Sequence, residues 1–313
     1  MTDFLVTGGA GFIGSHIVQR LVEQGRRVRV LDNFATGRRE NLTEVAGRIE
    51  LIEGDMADPQ IAQRACQGVD VVLHQAAIPS VPKSVADPAT SHRANVEGTF
   101  QLLVAAREAG VRRFVYAGSS SAYGESKTLP KVETMATDPL SPYAVQKLTG
   151  EYYCRAFARC YGMQTLTMRY FNVFGPRQDP KSQYAAAIPA FVTSILRSQP
   201  PTVYGDGEQT RDFTYIENVV EANLLAATAP RTAGEVINVA CGGHVTVNEI
   251  IRDINKLLGK DIQPSYVPAR NGDIRHSWAD ISLAEKVIGY RPKVTFAEGL
   301  QRAINWYARN LSV

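Results

Sequence analysis

Through its first 170 residues the chain alternates short apolar runs, rich in β-branched residues, with longer segments of helical period. That alternation restricts the fold more than any other feature. The runs DFLVTG, RVRVLD, IELIEGD, VDVVLHQAA, RRFVYAGSS and QTLTMRYFNV are nearly continuous in their apolar character. Strands of that kind belong to a parallel sheet covered by helices on both faces, joined by right-handed crossovers. Helices are expected from about Phe12 to Gln24, near 58–66, from about Val85 to Ala109 and through SPYAVQKLTGEYYCRAFARCYG.

After NVFGPR the texture changes. AAAIPAFVTSILR, PTVYGDGEQTRDF, VTVNEIIRDINKLLG and FAEGLQRAINWYARN are short elements separated by Gly and Pro, as in a smaller, mixed α/β lobe. EVINVA (235–240) is strand-like and is expected back in the large sheet. The division is therefore not a single cut: residues 1–175 form a nucleotide-binding domain, about 213–242 return to it, and 176–212 with 243–313 make a substrate lobe.

Composition narrows the class. The chain has 313 residues, 44% hydrophobic and 21% charged, with a net charge of +3, as expected of a globular protein. Its basic residues are scattered, so no nucleic-acid partner is expected. Cys66, Cys154, Cys160 and Cys241 have no CxxC or CxxH spacing, which points to free thiols, no metal and a reducing, cytoplasmic setting. The N-terminus has no basic leader, and no run approaches the ~20 apolar residues of a membrane helix.

FLVTGGAGFIGSH places Gly8, Gly9, Gly11 and Gly14 between the first strand and the first helix. This satisfies both GxGxxG and GxxGxxG, the turn that brings a pyrophosphate to a helix N-terminus in a Rossmann-type sheet. Asp32, ending the second strand, is placed to accept the adenosine ribose hydroxyls and to repel a 2′-phosphate, favouring NAD over NADP. Arg38 and Arg39 lie nearby but read as solvated loop. The positions expected along NAD are Gly8, Gly11, Phe12 and Ile13, then Asp32, Asn33, Thr36 and Gly37. Asp55 and Met56 follow at the third strand end, and Gln75, Ala76 and Ala77 at the fourth. His74 reads as a structural histidine.

SPYAVQK sets Tyr143 and Lys147 four apart on one helix face. A tyrosine is a poor base at neutral pH unless a neighbouring ammonium stabilises its phenolate. Upstream, SSSAYG ends an apolar strand with three hydroxyls and no acid.

With these motifs in place, the chain resembles the extended short-chain dehydrogenase/reductase family over essentially its whole length. Within it, the UDP-sugar 4-epimerase branch is the match, and the N-acetylglucosamine enzymes most of all. The resemblance implies Ser119, Tyr143 and Lys147 as the catalytic set, with Tyr170 beside the nicotinamide. Dehydratases of the family resemble STDEVYG and decarboxylases STSEVYG; here Ser120 and Ser121 stand at the acidic positions. Without a second acid or base, oxidation and re-reduction at one carbon is the expected chemistry. The resemblance further implies Ser80, Ser119, Ser120, Ser121, Tyr143, Asn172, Tyr204, Arg211, Arg270, Asp273 and Ser277 as contacts to a UDP-hexose or UDP-N-acetylhexosamine. Ser277 stands where epimerases restricted to glucose and galactose carry tyrosine, leaving room for an acetamido group. Pro79 replaces a lysine common in that glucose-type group. SQYAAAIPAFV and RQDPKSQY also look like the N-acetylhexosamine enzymes. Membership implies a homodimer through the helices around 85–109 and 141–161. Two rivals stay open: a UDP-glucuronate epimerase or another nucleotide-sugar oxidoreductase, and, remotely, a non-catalytic NAD-binding sensor.

Overall fold

The computed structural model describes residues 3–179, 187–269 and 274–311. Six strands are laid down in the first half of the chain: β1 (Asp3–Thr7), β2 (Arg27–Asp32), β3 (Ile49–Glu53), β4 (Val71–His74), β5 (Arg113–Ser119) and β6 (Gln164–Tyr170). All four residues of β4 are buried, as are six of seven in β6, as in strands covered on both faces. Several of the helices between them, though not those that begin at Phe12 and Gly98, start where a side chain satisfies the free N–H groups of the first turn. After α1 (Phe12–Glu23), α2 (Pro59–Cys66) begins with Asp58 accepting from the Gln60 N–H at 2.9 Å.

The segment expected as one helix from Val85 is broken. It starts earlier, as α3 (Val81–Ala86), capped by Ser80 accepting from the Lys83 N–H. It stops at Asp87, which caps α4 (Pro88–His92). A π turn over 93–97 then leads into α5 (Gly98–Glu108). Pro88 is the cause: it has no N–H to continue the first helix and restricts the residue before it. The long helix α6 (Pro142–Tyr161) runs from a Ser141 cap to a left-handed Gly162 at φ 69°.

Beyond β6 the elements shorten. They are β7 (Asn172–Phe174), α7 (Ala187–Leu196), β8 (Thr202–Tyr204), β9 (Thr210–Arg211) and β10 (Phe213–Tyr215). Next, α8 (Ile216–Thr228) leads to β11 (Glu235–Val239), which pairs in parallel with β6, Glu235 opposite Leu166. The large sheet is thus seven-stranded and parallel, in the order β11-β6-β5-β4-β1-β2-β3. The remaining elements are β12 (Val245–Thr246), α9 (Val247–Leu258), β13 (Ser265–Val267), β14 (His276–Ser277), α10 (Ser282–Ile288) and α11 (Phe296–Asn310). β9 lies between β12 and β14 in a three-stranded sheet. One buried apolar cluster joins Val6, Val30 and Leu166 of the large sheet to Ile188, Ile250 and Leu300. No helix among the described residues is long and apolar enough to cross a membrane.

Candidate active site

A cavity of about 700 Å³ opens at the carboxyl ends of the parallel strands, on the side where doubly wound sheets place their ligands. Its floor at one end is the β1–α1 turn. Gly8 has φ +66°, and a Cβ there would lie 2.7 Å from Ala76 Cα; a Cβ on Gly14 would lie 2.1 Å from the Gly8 carbonyl oxygen. The turn and helix approach each other more closely than any side chain permits. Gly11 caps α1 without a side chain, leaving the helix N-terminus to the cavity lined by Gly11, Phe12 and Ile13.

Asp32 sits at the edge of this floor. One of its oxygens accepts from the Ala10 N–H (2.9 Å) and the other from the Phe34 N–H (2.8 Å). Burial raises its pKa, against the pull of those two N–H groups. Gly37 does not line the cavity but presses on Asp32; a Cβ there would come within 2.9 Å of both carboxylate oxygens. Both neighbouring arginines are exposed and already paired with carboxylates. Arg38 pairs with Asp179 (2.7 Å), and Arg39 pairs with Glu53 while lying 4.0 Å over the Phe34 ring. The cradle therefore fits NAD. Asn33, Thr36, Asp55, Met56, Gln75, Ala76 and Ala77 line it as the sequence led one to expect.

Sequence reasoning missed three features of this wall. Arg93 lines the cavity and pairs with Asp55 at 3.2 Å. Asn223 of α8 binds both the Gln75 side chain (3.0 Å) and the Tyr170 hydroxyl (2.9 Å), fixing Tyr170 at the rim. The stretch 175–179 is tied to α1, the His16 ring donating to the Pro176 carbonyl (3.0 Å) and Arg177 to Gln19 (2.6 Å); it also presents Gln178 to the cavity. All three depend on pairings across the fold that no local pattern encodes. His74 is structural, buried between Thr7 (2.6 Å) and Thr99 (2.9 Å), with its pKa lowered by burial to about 3.

The other end of the cavity is formed by β5 and α6. Ser119 ends β5 and its hydroxyl accepts from the Ser121 hydroxyl at 2.8 Å and the Ser121 N–H at 3.2 Å, and it acts on the Tyr143 hydroxyl to lower its pKa. Ser119, Ser120, Tyr143 and Lys147 line the cavity; Ser121 supports Ser119 from behind. Ser120 carries neither carboxylate nor amine, and the lining carboxylates, Asp32 and Asp55, lie at the ends of β2 and β3. From β5 to β2 is three strand spacings, about 14 Å.

The structure gives Lys147 a backbone partner that spacing along the helix does not reveal. The Lys147 ammonium donates to the Ala117 carbonyl (2.8 Å) and lies 4.9 Å from the Tyr116 ring centre. Burial lowers its pKa to about 8. Burial also raises the pKa of Tyr143, and the hydrogen bond with Ser119 is what draws it down. Lys147 is thus held by the backbone of β5 at the Ala117 carbonyl.

The substrate positions are divided. Asn172 lines the cavity, its N–H donating to the Asp212 carbonyl at 3.1 Å. Arg211 and Ser277 are register neighbours on β9 and β14, so the structure brings these two together, outside the cavity lining. Tyr204, on β8, is exposed and also outside it. Ser80 serves as the α3 cap and does not line the cavity. Arg270 and Asp273 lie outside the described residues. The lobe has an organiser that the sequence did not announce: Asp212, almost wholly buried, accepts from the N–H groups of Cys241 (2.9 Å), Gly242 (3.0 Å) and Ala279 (3.4 Å).

Residues 4–240 match the NAD dependent epimerase/dehydratase family. The UDP-glucose 4-epimerase of Mycolicibacterium smegmatis is 36% identical over 312 residues, 98% of this chain and 99% of that one. A UDP-N-acetylglucosamine 4-epimerase of Methanobrevibacter ruminantium, solved with UDP-N-acetylmuramic acid, superposes with a TM-score of 0.95. It is 39% identical, and the match covers 99% of this chain and 100% of that one. The UDP-glucose 4-epimerase of Thermus thermophilus, solved with NAD, gives a TM-score of 0.90 at 35% identity, covering 99% and 100%. With the glycine turn, Asp32 and the Ser119–Tyr143–Lys147 cluster in one cleft, the chain belongs to the NAD dependent epimerase/dehydratase family.

Proposed function

We propose that the protein is an NAD-dependent UDP-sugar 4-epimerase that interconverts UDP-GlcNAc with UDP-GalNAc and also UDP-glucose with UDP-galactose. The observation that carries this reading is the composition of the β5–α6 end of the cavity. Ser119, Tyr143 and Lys147 line this end together, and the described residues that line it there include no carboxylate. Elimination of water from a sugar requires a further acid and base, whereas exchange of configuration at one carbon requires one proton carrier.

Gly8, Gly11, Phe12 and Ile13 would hold the pyrophosphate of NAD and Asp32 its adenosine ribose, with Lys147 and Tyr170 at the nicotinamide end. NAD supplies the reversible two-electron acceptor. Tyr143 takes the proton of the sugar 4-hydroxyl as C4 is oxidised to the ketone, and Ser119 orients that exchange. Lys147 supplies positive charge behind the phenolate. The ketone turns about its link to the diphosphate and is reduced on its opposite face, Tyr143 returning the proton. Asn172, Tyr204, Arg211, Arg270 and Asp273 are the proposed grip on the UDP moiety, guanidinium groups being suited to phosphate oxygens. The small Ser277 beside Arg211 is the proposed allowance for an acetamido group.

A homodimer is part of the proposal. Val85, Val145, Tyr152 and Tyr161 of α3 and α6 are each about half exposed or more, an apolar display that a partner helix pair would cover. The four cysteines are free, consistent with the cytoplasm.

The test is incubation of the purified protein, without added NAD, with UDP-GlcNAc and separately with UDP-glucose, products being resolved by NMR. Appearance of UDP-GalNAc and UDP-galactose is expected, with no NADH released. UDP-galactose alone would refute the account of Ser277, and UDP-glucuronate turnover or net NADH would favour the rival oxidoreductases. Absence of every product, even with NAD supplied, would overturn the assignment. Tyr143→Phe is expected to lower kcat about 10²–10⁴-fold while the protein stays folded.

A further inference from the structure

The inner face of α6 carries a third ionisable group one turn beyond Lys147. Glu151 is 2% exposed, and its carboxylate is gripped bidentately by Arg169 of β6, Nε at 3.0 Å and Nη2 at 2.8 Å. Both side chains of this pair are 3% exposed. Arg169 is itself fixed by lying 4.6 Å from the Tyr123 ring centre, and the Tyr123 hydroxyl donates to Asn238 of β11 at 2.6 Å. Nothing in the chemistry proposed above uses Arg169 or Glu151, yet burying two charges has a price that is not recovered automatically by their attraction.

Helical spacing shows what the pair prevents. Side chains at i and i+4 are neighbours, so a Glu151 carboxylate without Arg169 has Lys147 as its nearest cation on α6. The groups that face Lys147 from the packed elements leave no other counter-ion. They are His74 of β4, Tyr116 of β5 and Cys154 of α6. His74 is held neutral by burial, and burial pushes Cys154 and Tyr116 above their ordinary values.

We propose that Arg169 is a positioning residue for the Tyr143–Lys147 pair: by neutralising Glu151 it leaves the Lys147 ammonium as the one uncompensated charge among the described residues behind the tyrosine. The inference rests on the roles proposed for Tyr143 and Lys147. With Arg169 in place Lys147, Glu151 and Arg169 sum to one positive charge, which favours the phenolate; the Glu133 carboxylate, which also feels Arg169 and accepts from the Asn238 N–H (2.7 Å), is the same in every variant. Without it, Glu151 draws the ammonium away from the Ala117 carbonyl and cancels that charge. Without Glu151 instead, two positive charges remain.

The signs give the test. Three proteins, Arg169→Met, Glu151→Gln and the double variant, are titrated by tyrosinate absorbance against their own Tyr143→Phe partners, and their pH–rate profiles are measured beside the unmodified protein. Arg169→Met is expected to move the Tyr143 titration and the acid limb of the profile about one to two pH units alkaline. Glu151→Gln is expected to move both to lower pH, and the double variant to return both near their original values. Rate loss in the single variants without opposed shifts, or a double variant that does not return, would overturn the proposal and leave the pair a structural one. If Arg169→Met does not fold, the acid shift in Glu151→Gln and its return in the double variant decide the matter. The absorbance titration needs no turnover, so it judges Arg169 even if the epimerase reading fails; failure of that reading shows instead as the absence of product from the unmodified protein.

Discussion

The sheet side of the cleft and the lobe beside it are made differently. On one side Asp32, Gln75 and Ser119 stand at the ends of strands four to seven residues long, each laddered to neighbours in register. On the other, Arg211 and Ser277 ride on strands of two residues. A two-residue strand contributes few ladder hydrogen bonds, and there the buried Asp212 carboxylate gathers two chain segments, 241–242 and 279, by their N–H groups. Burial lifts the pKa of that carboxylate to about 6. The sheet side rests on backbone ladders, while the lobe side hangs on a few side-chain anchors. Such a division suits a reaction in which the cofactor stays in place and the sugar must turn.

The sharpest way to break the comparison is Gly14→Ala. Its Cβ would fall 2.1 Å from the Gly8 carbonyl, so the β1–α1 turn must open. Loss of about 1–3 kcal/mol of stability and of bound NAD is expected, checked by thermal melting and by nucleotide extracted after purification. Stoichiometric NAD in that variant would mean a wall more pliant than its ladders imply. Ser277→Tyr probes the lobe instead. It is expected to lower kcat/KM for UDP-GlcNAc about 10–200-fold, sparing UDP-galactose and NAD content; equal losses on both sugars would remove Ser277 from the account of specificity. Arg38→Ala acts where the walls meet. Its ion pair with Asp179 joins side chains 53% and 39% exposed, and exposed pairs contribute about 0–1 kcal/mol. NAD dissociation is expected to quicken by no more than about fivefold, measured by exchange with labelled NAD. A larger effect would make this pair the lock on the cofactor.

What the amino acids disclosed follows the same division. The strand ends and the glycine turn were legible because apolar runs and glycines are local, periodic signals, and the seven-stranded sheet follows from them. The break at Asp87 was legible too, in the Ser80 cap and in Pro88, although a single helix was expected. The Lys147 ammonium was placed on the correct face but not at its Ala117 partner, because spacing along a helix does not say which backbone carbonyl awaits a side chain. Asp212, Asn223 and the Arg169–Glu151 pair were not legible. Each joins elements far apart in sequence, and their partners are fixed only once β6, β11 and α8 have packed.

β11 gives the molecule an order of assembly. The edge strand of the large sheet is synthesised after α7 and the short strands of the lobe, so the chain must hold β6 with an unpaired edge while those segments emerge. Pairing at long sequence separation is slow, and an open strand edge invites association with other chains. The last strand is thus both the seal of the sheet and the step at which nascent copies are most exposed to one another. Release of chains that end before Glu235 would leave β6 as a permanent sticky edge rather than a smaller enzyme.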